Sequence, residues 1–157
     1  AINILSTHRN WLSRIPKRCI LTPHLGELER LIGKCMDTYE RLTKVKELAA
    51  YLQSYIIVKG AWTCIVTPEG NYYFNPTGNP GMATGGSGDV LTGILLGLLA
   101  QGYEREDACR LGYFFLYLPC WYDALGRPRF GFLPSSNASN YHFANLFQSV
   151  RLYPDAC

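Results

Sequence analysis

The chain has 157 residues, of which 48% are hydrophobic and 17% are charged, and its formal net charge is +3. This composition suits one folded domain with an apolar core and excludes a wholly disordered chain. The small charge, with no basic cluster interleaved with aromatic residues, gives no support for nucleic-acid binding. No apolar run reaches the roughly 18 residues of a membrane span. We therefore expect neither a nucleic-acid nor a membrane partner.

The six cysteines are scattered along the chain, and no two of them form a C-x-x-C pair. No secretory segment precedes them, so we expect reduced, mostly buried thiols in a cytoplasmic protein rather than a disulfide scaffold. Neither the cysteines nor the histidines have metal-ligand spacing, and we predict no metal ligands among them. The sequence starts inside an apolar pattern without Met, which indicates a fragment of a longer chain.

The first predicted elements are one strand and two helices. The segment CILTPH is a short apolar strand that is ended by Pro23, and the helical spacing in GELERLIGK predicts a helix directly after it. The segment AINILS at the start of the sequence fits either the end of a strand and turn or the start of a helix. Apolar residues at helical spacing in RLTKVKELAAYLQ predict a second helix.

The next predicted elements are a strand and a hairpin, and two helices follow them. YIIVKG is a buried strand rich in β-branched residues, and TCIVTPEGNYYFN is a hairpin with its turn at residues 68–70. A glycine-rich loop, a helix from about Asp89 to Gln101 and a helix in EREDACRLGYFFLYL follow. This order predicts an α/β layer fold with a mainly parallel sheet.

The end of the chain differs in composition from the rest. No Glu and no Lys follows Asp107, and the last forty or so residues show no sustained hydrophobic period. We expect one domain over residues 1–118 and an atypical, poorly ordered tail over residues 119–157. A natural extension and a shifted reading frame would both produce this change, and translation of the parent gene in all frames would distinguish them.

The segment NPTGNPGMATGGSGDVLTGILLGLLAQG, residues 75–102, places many glycines before an apolar helix that begins near Asp89. A helix N-terminus offers unpaired N–H groups and about half a positive charge, and glycines let several such groups converge on one anion. A carboxylate beside this anion site is suited to take a proton from a substrate hydroxyl during phosphoryl transfer. The alternative is a tight loop in which Asp89 caps the helix. The spacing matches neither the P-loop nor the dinucleotide-binding motif.

Polar groups also stand at the ends of two predicted strands. His24 ends the first strand in TPHLGE, and Lys59 ends the second in VKGAWT, with Thr63 close behind it. Because α/β enzymes bind ligands at the carboxyl ends of parallel strands, we expect these residues at one edge of the sheet. Lys59 would meet a nucleotide phosphate, and Thr63 would donate a hydrogen bond. For each residue taken alone, a surface or strand-end position without function is the alternative.

Three segments together resemble a known family. ILTPHLGELERLIG, IIVKGAWTCIV and NPTGNPGMATGGSGDVLTGILLGLLAQG, in this order, resemble the carbohydrate-kinase-like NAD(P)H-hydrate dehydratases that depend on ADP or ATP. The resemblance extends from residue 1 to about Tyr117. It implies a three-layer, ribokinase-like α/β fold with a mainly parallel sheet, truncated at its N-terminus, so that the chain corresponds to the C-terminal half of such an enzyme.

The resemblance implies a role for each matching residue. His24 would line the substrate pocket, and Asp89 would contact the substrate and act as the catalytic base. The residues that would bind the nucleotide are Lys59, Gly60, Ala61 and Thr63 in one segment, and Gly85, Gly86, Ser87 and Gly88 in the other. The implied reaction is dehydration of the S epimer of hydrated NADH or NADPH, with ADP or ATP as phosphoryl donor and Mg²⁺ as cofactor. The C6 hydroxyl is phosphorylated and phosphate then leaves, which restores NAD(P)H. For the full-length protein we also expect a homo-oligomer.

Two other functions stay open at this point. A ribokinase-like kinase of a small alcohol or vitamin precursor would use the same base and the same anion site. A non-catalytic nucleotide-binding fragment is the second alternative, because half a sheet leaves an exposed edge and an incomplete pocket.

Overall fold

A computed structural model describes residues 2–60, 62–75 and 86–117 of the chain. The helices and strands, in chain order, are α1 (Ile2–Thr7), a 3-10 helix (Arg9–Arg14), β1 (Ile20–Leu21), α2 (Leu25–Ile32), α3 (Thr38–Leu52), β2 (Tyr55–Val58), β3 (Thr63–Val66), β4 (Tyr72–Asn75), α4 (Ser87–Ala100) and α5 (Arg105–Tyr117). The predicted strands, hairpin and helices are all present, and α4 begins two residues before the predicted start. None of the described helices is long and apolar enough to cross a membrane.

The described strands form one sheet in the order β1-β2-β3-β4. β1 pairs with β2 in parallel, whereas β2 with β3 and β3 with β4 are antiparallel. The described part is therefore a mixed sheet, and the expectation of a mainly parallel sheet holds for only one of its three strand pairs. The reason is the length of the connections, because short turns join β2, β3 and β4 and a parallel pair needs a crossover of a dozen or more residues.

Apolar layers cover both faces of the sheet, because successive side chains along β2 point in opposite directions. On one face, Tyr55 and Ile57 pack against α4 and α5. On the other face, Ile56 and Val58 pack against α2 and α3. The first cluster also contains Ile65, Leu91, Leu95, Cys109, Tyr113 and Leu116. The second also contains Leu28, Val45, Ala49, Cys64 and Val66. This is the three-layer α/β architecture that the family resemblance implies.

The four cysteines within the described residues are free. Cys64 and Cys109 are buried, one in each apolar layer, and burial raises the pKa of each thiol to about 12. Cys19 and Cys35 are only partly buried. The proposed tail over residues 119–157 lies outside the described residues, and the domain boundary at residue 118 stays a prediction.

Candidate functional site

The carboxyl ends of β1 and β2 bring His24 and Lys59 together. The parallel pairing of these strands continues for one step beyond them, as the backbone N–H of Lys59 donates to the carbonyl of Pro23 at 2.8 Å. His24 and Lys59 then face each other in a parallel backbone bridge. The expected placement of both residues at one edge of the sheet is therefore present in the structure.

His24 is also the N-cap of α2. Its Nδ1 accepts the backbone N–H of Glu27 at 3.3 Å, and the Glu27 carboxylate accepts the backbone N–H of His24 at 3.0 Å, which forms a reciprocal capping box. An Nδ1 that accepts a hydrogen bond leaves the proton of a neutral ring on Nε2. Its Nε2 lies 3.5 Å from the Glu27 carboxylate, and the side chain is 54% exposed, so the ring can contact a ligand while Glu27 holds its orientation.

The site has two walls. The ends of β1 and β2, with His24 and Lys59, form the first wall, and the N-terminus of α4 forms the second. Gly86 is its N-cap, with φ +95° and ψ −18°, a left-handed conformation that favours glycine. The Gly86 carbonyl accepts the backbone N–H groups of Asp89 and Val90 at 3.0 and 3.1 Å, which closes the first turn. Asp89 is thus the third residue of the helix, exposed to solvent, and does not occupy the N-cap position. The carboxylate lies at the mouth of the helix, where the sequence places it.

The side chain of Lys59 joins the two walls. Its Nζ lies 3.4 Å from the position that a Cβ would occupy on Gly88, so the ammonium group sits against the first turn of α4. Among the described carboxylates, none forms an ion pair with Lys59. A cation at the positive end of a helix dipole is unfavourable unless an anion joins it. The arrangement therefore favours a negatively charged ligand, such as a phosphate, at this point.

Thr63 lies beneath this wall rather than in its open part. The side chain is fully buried, and its Oγ1 accepts the Gly60 N–H at 3.3 Å and donates to the Gly60 carbonyl at 3.2 Å. The same hydroxyl is hydrogen-bonded to Tyr113 of α5. Thr63 thus supports the turn that follows Lys59, and its direct hydrogen bond to a nucleotide stays a prediction.

The remaining predicted site residues divide into two groups. Gly60, Gly86, Ser87 and Gly88 lie in the described part of the chain, at the two walls. Ala61 and Gly85 lie outside the described residues. No three His, Cys, Asp or Glu side chains of the described residues are grouped so that they could hold a metal ion.

Sequence reasoning missed the contact between Tyr113 and Thr63. Tyr113 is fifty positions away from Thr63, and its helical spacing in EREDACRLGYFFLYL indicates only a buried position. Nothing in that pattern shows that its hydroxyl reaches the turn after β2.

Comparison with known proteins identifies relatives of this chain. The sequence model of the carbohydrate-kinase-like family described as NAD(P)H-hydrate dehydratase matches residues 1–114. The bifunctional NAD(P)H-hydrate repair enzyme Nnr of Thermofilum pendens is 48% identical over 97 residues, which are 60% of this chain and 18% of that protein. The ADP-dependent (S)-NAD(P)H-hydrate dehydratase of Neisseria meningitidis is 44% identical over 117 residues, which are 71% of this chain and 39% of that protein.

Solved structures show the same relationship. The ADP/ATP-dependent NAD(P)H-hydrate dehydratase of Bacillus subtilis, co-crystallised with ATP and Mg²⁺, is 41% identical with a TM-score of 0.56, and the match covers 68% of this chain and 40% of that one. A ribokinase-like superfamily protein of Enterococcus faecalis is 33% identical with a TM-score of 0.61, over 76% of this chain and 41% of that one. The chain thus spans between 18% and 41% of the length of these relatives. It has a ribokinase-like fold and belongs to the NAD(P)H-hydrate dehydratase family.

Proposed function

We propose that the full-length protein dehydrates the S epimer of hydrated NADH or NADPH, with ADP or ATP as the phosphoryl donor. The observation that carries this proposal is the position of Lys59 Nζ against Gly88, in the turn of α4 that also holds Asp89. A phosphate-binding point and a carboxylate thus share one helix turn. Phosphoryl transfer to a hydroxyl needs both, one for the donor and one for the acceptor.

Each wall has its own task in this proposal. Lys59 and the first turn of α4 hold the terminal phosphate of the nucleotide, where their positive charge offsets the charge that develops on the transferred group. Asp89 accepts the proton of the C6 hydroxyl of the hydrated nicotinamide ring. His24 lies just beyond the end of β1 beside Lys59, with a side chain that is 54% exposed, and orients the hydrated ring.

The transferred phosphoryl group makes the later elimination possible. A hydroxyl is a poor leaving group, whereas phosphate leaves readily. In the elimination the C6–O bond breaks, a proton leaves C5, and the ring double bond of NAD(P)H forms between C5 and C6. Asp89 is protonated once it has taken the proton of the C6 hydroxyl, and it cannot accept a second proton before it releases the first. We therefore assign the phosphorylation step, rather than the elimination, to Asp89.

The residues present fit a nucleotide, and Mg²⁺ would be held mainly by the phosphates of that nucleotide. The described side chains include no group of three metal ligands, and Mg²⁺ in nucleotide sites is held mainly by phosphate oxygens and water with few carboxylates. When bound, the ion would neutralise charge on the phosphates of ADP or ATP. The homo-oligomeric state and the cytoplasmic location stay predictions.

The test supplies full-length protein with hydrated NADH and ADP or ATP and follows the recovery of NADH absorbance. We expect Asp89→Asn to abolish turnover and to leave nucleotide binding, measured by calorimetry, largely unchanged. Asp107→Asn is the matched control, because Asp107 is also an exposed acid at the third position of its helix, α5, and we expect it to keep wild-type turnover. A wild-type rate in Asp89→Asn would overturn the assignment of the base.

The same assay separates the alternatives. Loss of the hydrate without a stable phosphorylated product supports the dehydratase. Accumulation of a phosphorylated small alcohol, with no effect on the hydrate, would support the kinase instead. Binding of ADP without turnover of either compound would show a non-catalytic nucleotide-binding protein.

A further inference from the structure

A chain of buried hydroxyl groups connects α5 to the turn that follows Lys59. Tyr113 and Thr63 are both fully buried, and their hydroxyl groups are hydrogen-bonded across the interface between α5 and the sheet. Thr63 continues the chain to both backbone groups of Gly60. Through Thr63, the buried hydroxyl of Tyr113 is thus linked to Gly60, the residue next to Lys59.

The hydrogen-bonding capacity of Thr63 is fully used in this chain. A threonine hydroxyl has one proton to donate and two lone pairs that accept, so it makes at most three hydrogen bonds. Thr63 Oγ1 makes three, with the Gly60 N–H, the Gly60 carbonyl and the Tyr113 hydroxyl. Loss of the Tyr113 hydroxyl leaves the buried Thr63 hydroxyl with one partner fewer.

α5 also determines the position of the opposite wall. The position of a Cβ on Gly112 lies only 2.8 Å from Leu95 Cδ2, so the two helices approach closely at this point. Tyr113 itself shares one apolar cluster with Leu91 and Leu95 of α4. The N-terminal turn of α4 carries Gly88 and Asp89. One helix thus contacts both the element that carries Lys59 and the element that carries Asp89.

We propose that Tyr113 is a positioning residue for nucleotide binding. Its hydroxyl holds Thr63, Thr63 holds the turn at Gly60, and this turn keeps the Lys59 ammonium against the first turn of α4. The inference rests on the proposed function, since it assigns a role within the same nucleotide site. It also gives the Thr63 hydroxyl a role beneath the site that needs no contact with the nucleotide.

The test compares two Tyr→Phe variants, each of which removes one hydroxyl group. In full-length protein, we expect Tyr113→Phe to raise the Kd for ADP roughly tenfold, since the buried Thr63 hydroxyl loses one of its three hydrogen-bond partners and holds Gly60 less firmly. The KM for the nucleotide should rise in parallel, while kcat changes little. Tyr72→Phe is the matched control, because Tyr72 donates to the Leu42 carbonyl at 3.1 Å on the other face of the sheet. We expect this variant to bind ADP as the wild type does.

A second set of variants follows the chain at Thr63. Thr63→Ser keeps the hydroxyl and should keep wild-type ADP affinity, whereas Thr63→Val should weaken binding about as much as Tyr113→Phe. The double variant Tyr113→Phe/Thr63→Val should bind no more weakly than Thr63→Val alone, because both changes break one chain. Additive losses would overturn the proposal. These variants keep the proposal testable even where Tyr113→Phe folds poorly.

Two further outcomes separate this inference from the proposed function. If Tyr113→Phe lowers the melting temperature but leaves the Kd for ADP unchanged in a protein that turns over the hydrate, Tyr113 is only structural and the inference fails alone. If the protein binds ADP, loses affinity in Tyr113→Phe and does not turn over the hydrate, the inference stands and the proposed function fails. A wild-type protein that does not bind ADP overturns both.

Discussion

Lys59 bears a charge that is poorly placed for stability and well placed for binding. Its ammonium lies against the positive end of α4, and the described carboxylates leave it without an ion pair. A cation at a helix N-terminus costs a few tenths to about 1 kcal/mol. Such a cost is typical of functional sites, where an arrangement that suits a ligand is kept at the expense of the free protein.

Lys59→Met should therefore separate stability from binding. We expect the melting temperature of the nucleotide-free protein to stay unchanged or to rise slightly, because the unfavourable charge is removed. The Kd for ADP should rise roughly ten- to hundredfold, as expected for a lost charge-assisted hydrogen bond. Calorimetry at low and high salt measures this loss and should show a weaker salt dependence in the variant.

The control for this prediction is Lys17→Met, because Lys17 is an exposed lysine before the other end of β1. It removes the same charge from the protein without touching the site. Equal losses in both variants would mean that net charge, rather than the position of Lys59, attracts the nucleotide.

At the scale of elements, the packing of α5 on α4 depends on one glycine. Gly112 is buried, and a Cβ there would lie 2.8 and 3.3 Å from two atoms of the buried Leu95 side chain. Gly97 also lies within a helix, α4, but no atom of the described residues lies within 4 Å of the position of its Cβ. The two glycines therefore differ in packing while they share a helical backbone.

Opposite effects should follow from the same substitution at these two glycines. Gly97→Ala should stabilise the protein by up to about 1 kcal/mol, since alanine has the higher helix propensity. Gly112→Ala gains the same propensity but forces Leu95 aside, and overpacking of a core costs about 1–3 kcal/mol. Urea unfolding of both variants measures the difference in the free energy of unfolding. Equal stabilisation of both would show that α5 does not approach α4 as closely as described.

Most elements could be predicted from local patterns, but their arrangement only in part. The helical spacing of α2 and α3 and the β-branched run of β2 determine what each segment becomes. The strand ends that carry His24 and Lys59 could be placed at one edge because β1 and β2 are parallel. The Tyr113 hydroxyl could not be placed on Thr63, because contacts between distant residues leave no periodic signal. The antiparallel pairs also show that short turns override the parallel tendency of the fold class.

At the scale of the whole molecule, each of the two apolar layers contains one buried thiol, whose titration depends on how well that layer excludes water. Cys64 lies in the cluster beneath α2 and α3, and Cys109 lies in the cluster beneath α4 and α5. Burial disfavours the thiolate and raises the pKa of each from 9.0 to about 12. Both thiols thus hold their protons in the folded state over a pH range in which the unfolded chain releases them.

This difference predicts how stability depends on alkaline pH. Below pH 9 both states bind the protons and stability is unaffected. As the pH rises from about 9 toward 12, the folded state binds more protons than the unfolded state, so the free energy of unfolding falls by up to about 1.4 kcal/mol per pH unit for each thiol. Urea unfolding across this pH range should show a shallower fall in Cys64→Ala/Cys109→Ala. Part of the fall should remain, because burial also raises the pKa of Tyr55 and Tyr72.

The double variant Cys19→Ala/Cys35→Ala provides the control, since these thiols are only partly buried. It should keep the wild-type dependence on pH, whereas each single variant, Cys64→Ala or Cys109→Ala, should remove about half of the effect of the pair. A fall that is unchanged in Cys64→Ala alone would mean that the layer beneath α2 and α3 admits water to its thiol. Because the two clusters lie on opposite faces of one sheet, the single variants test the two halves of the three-layer core independently.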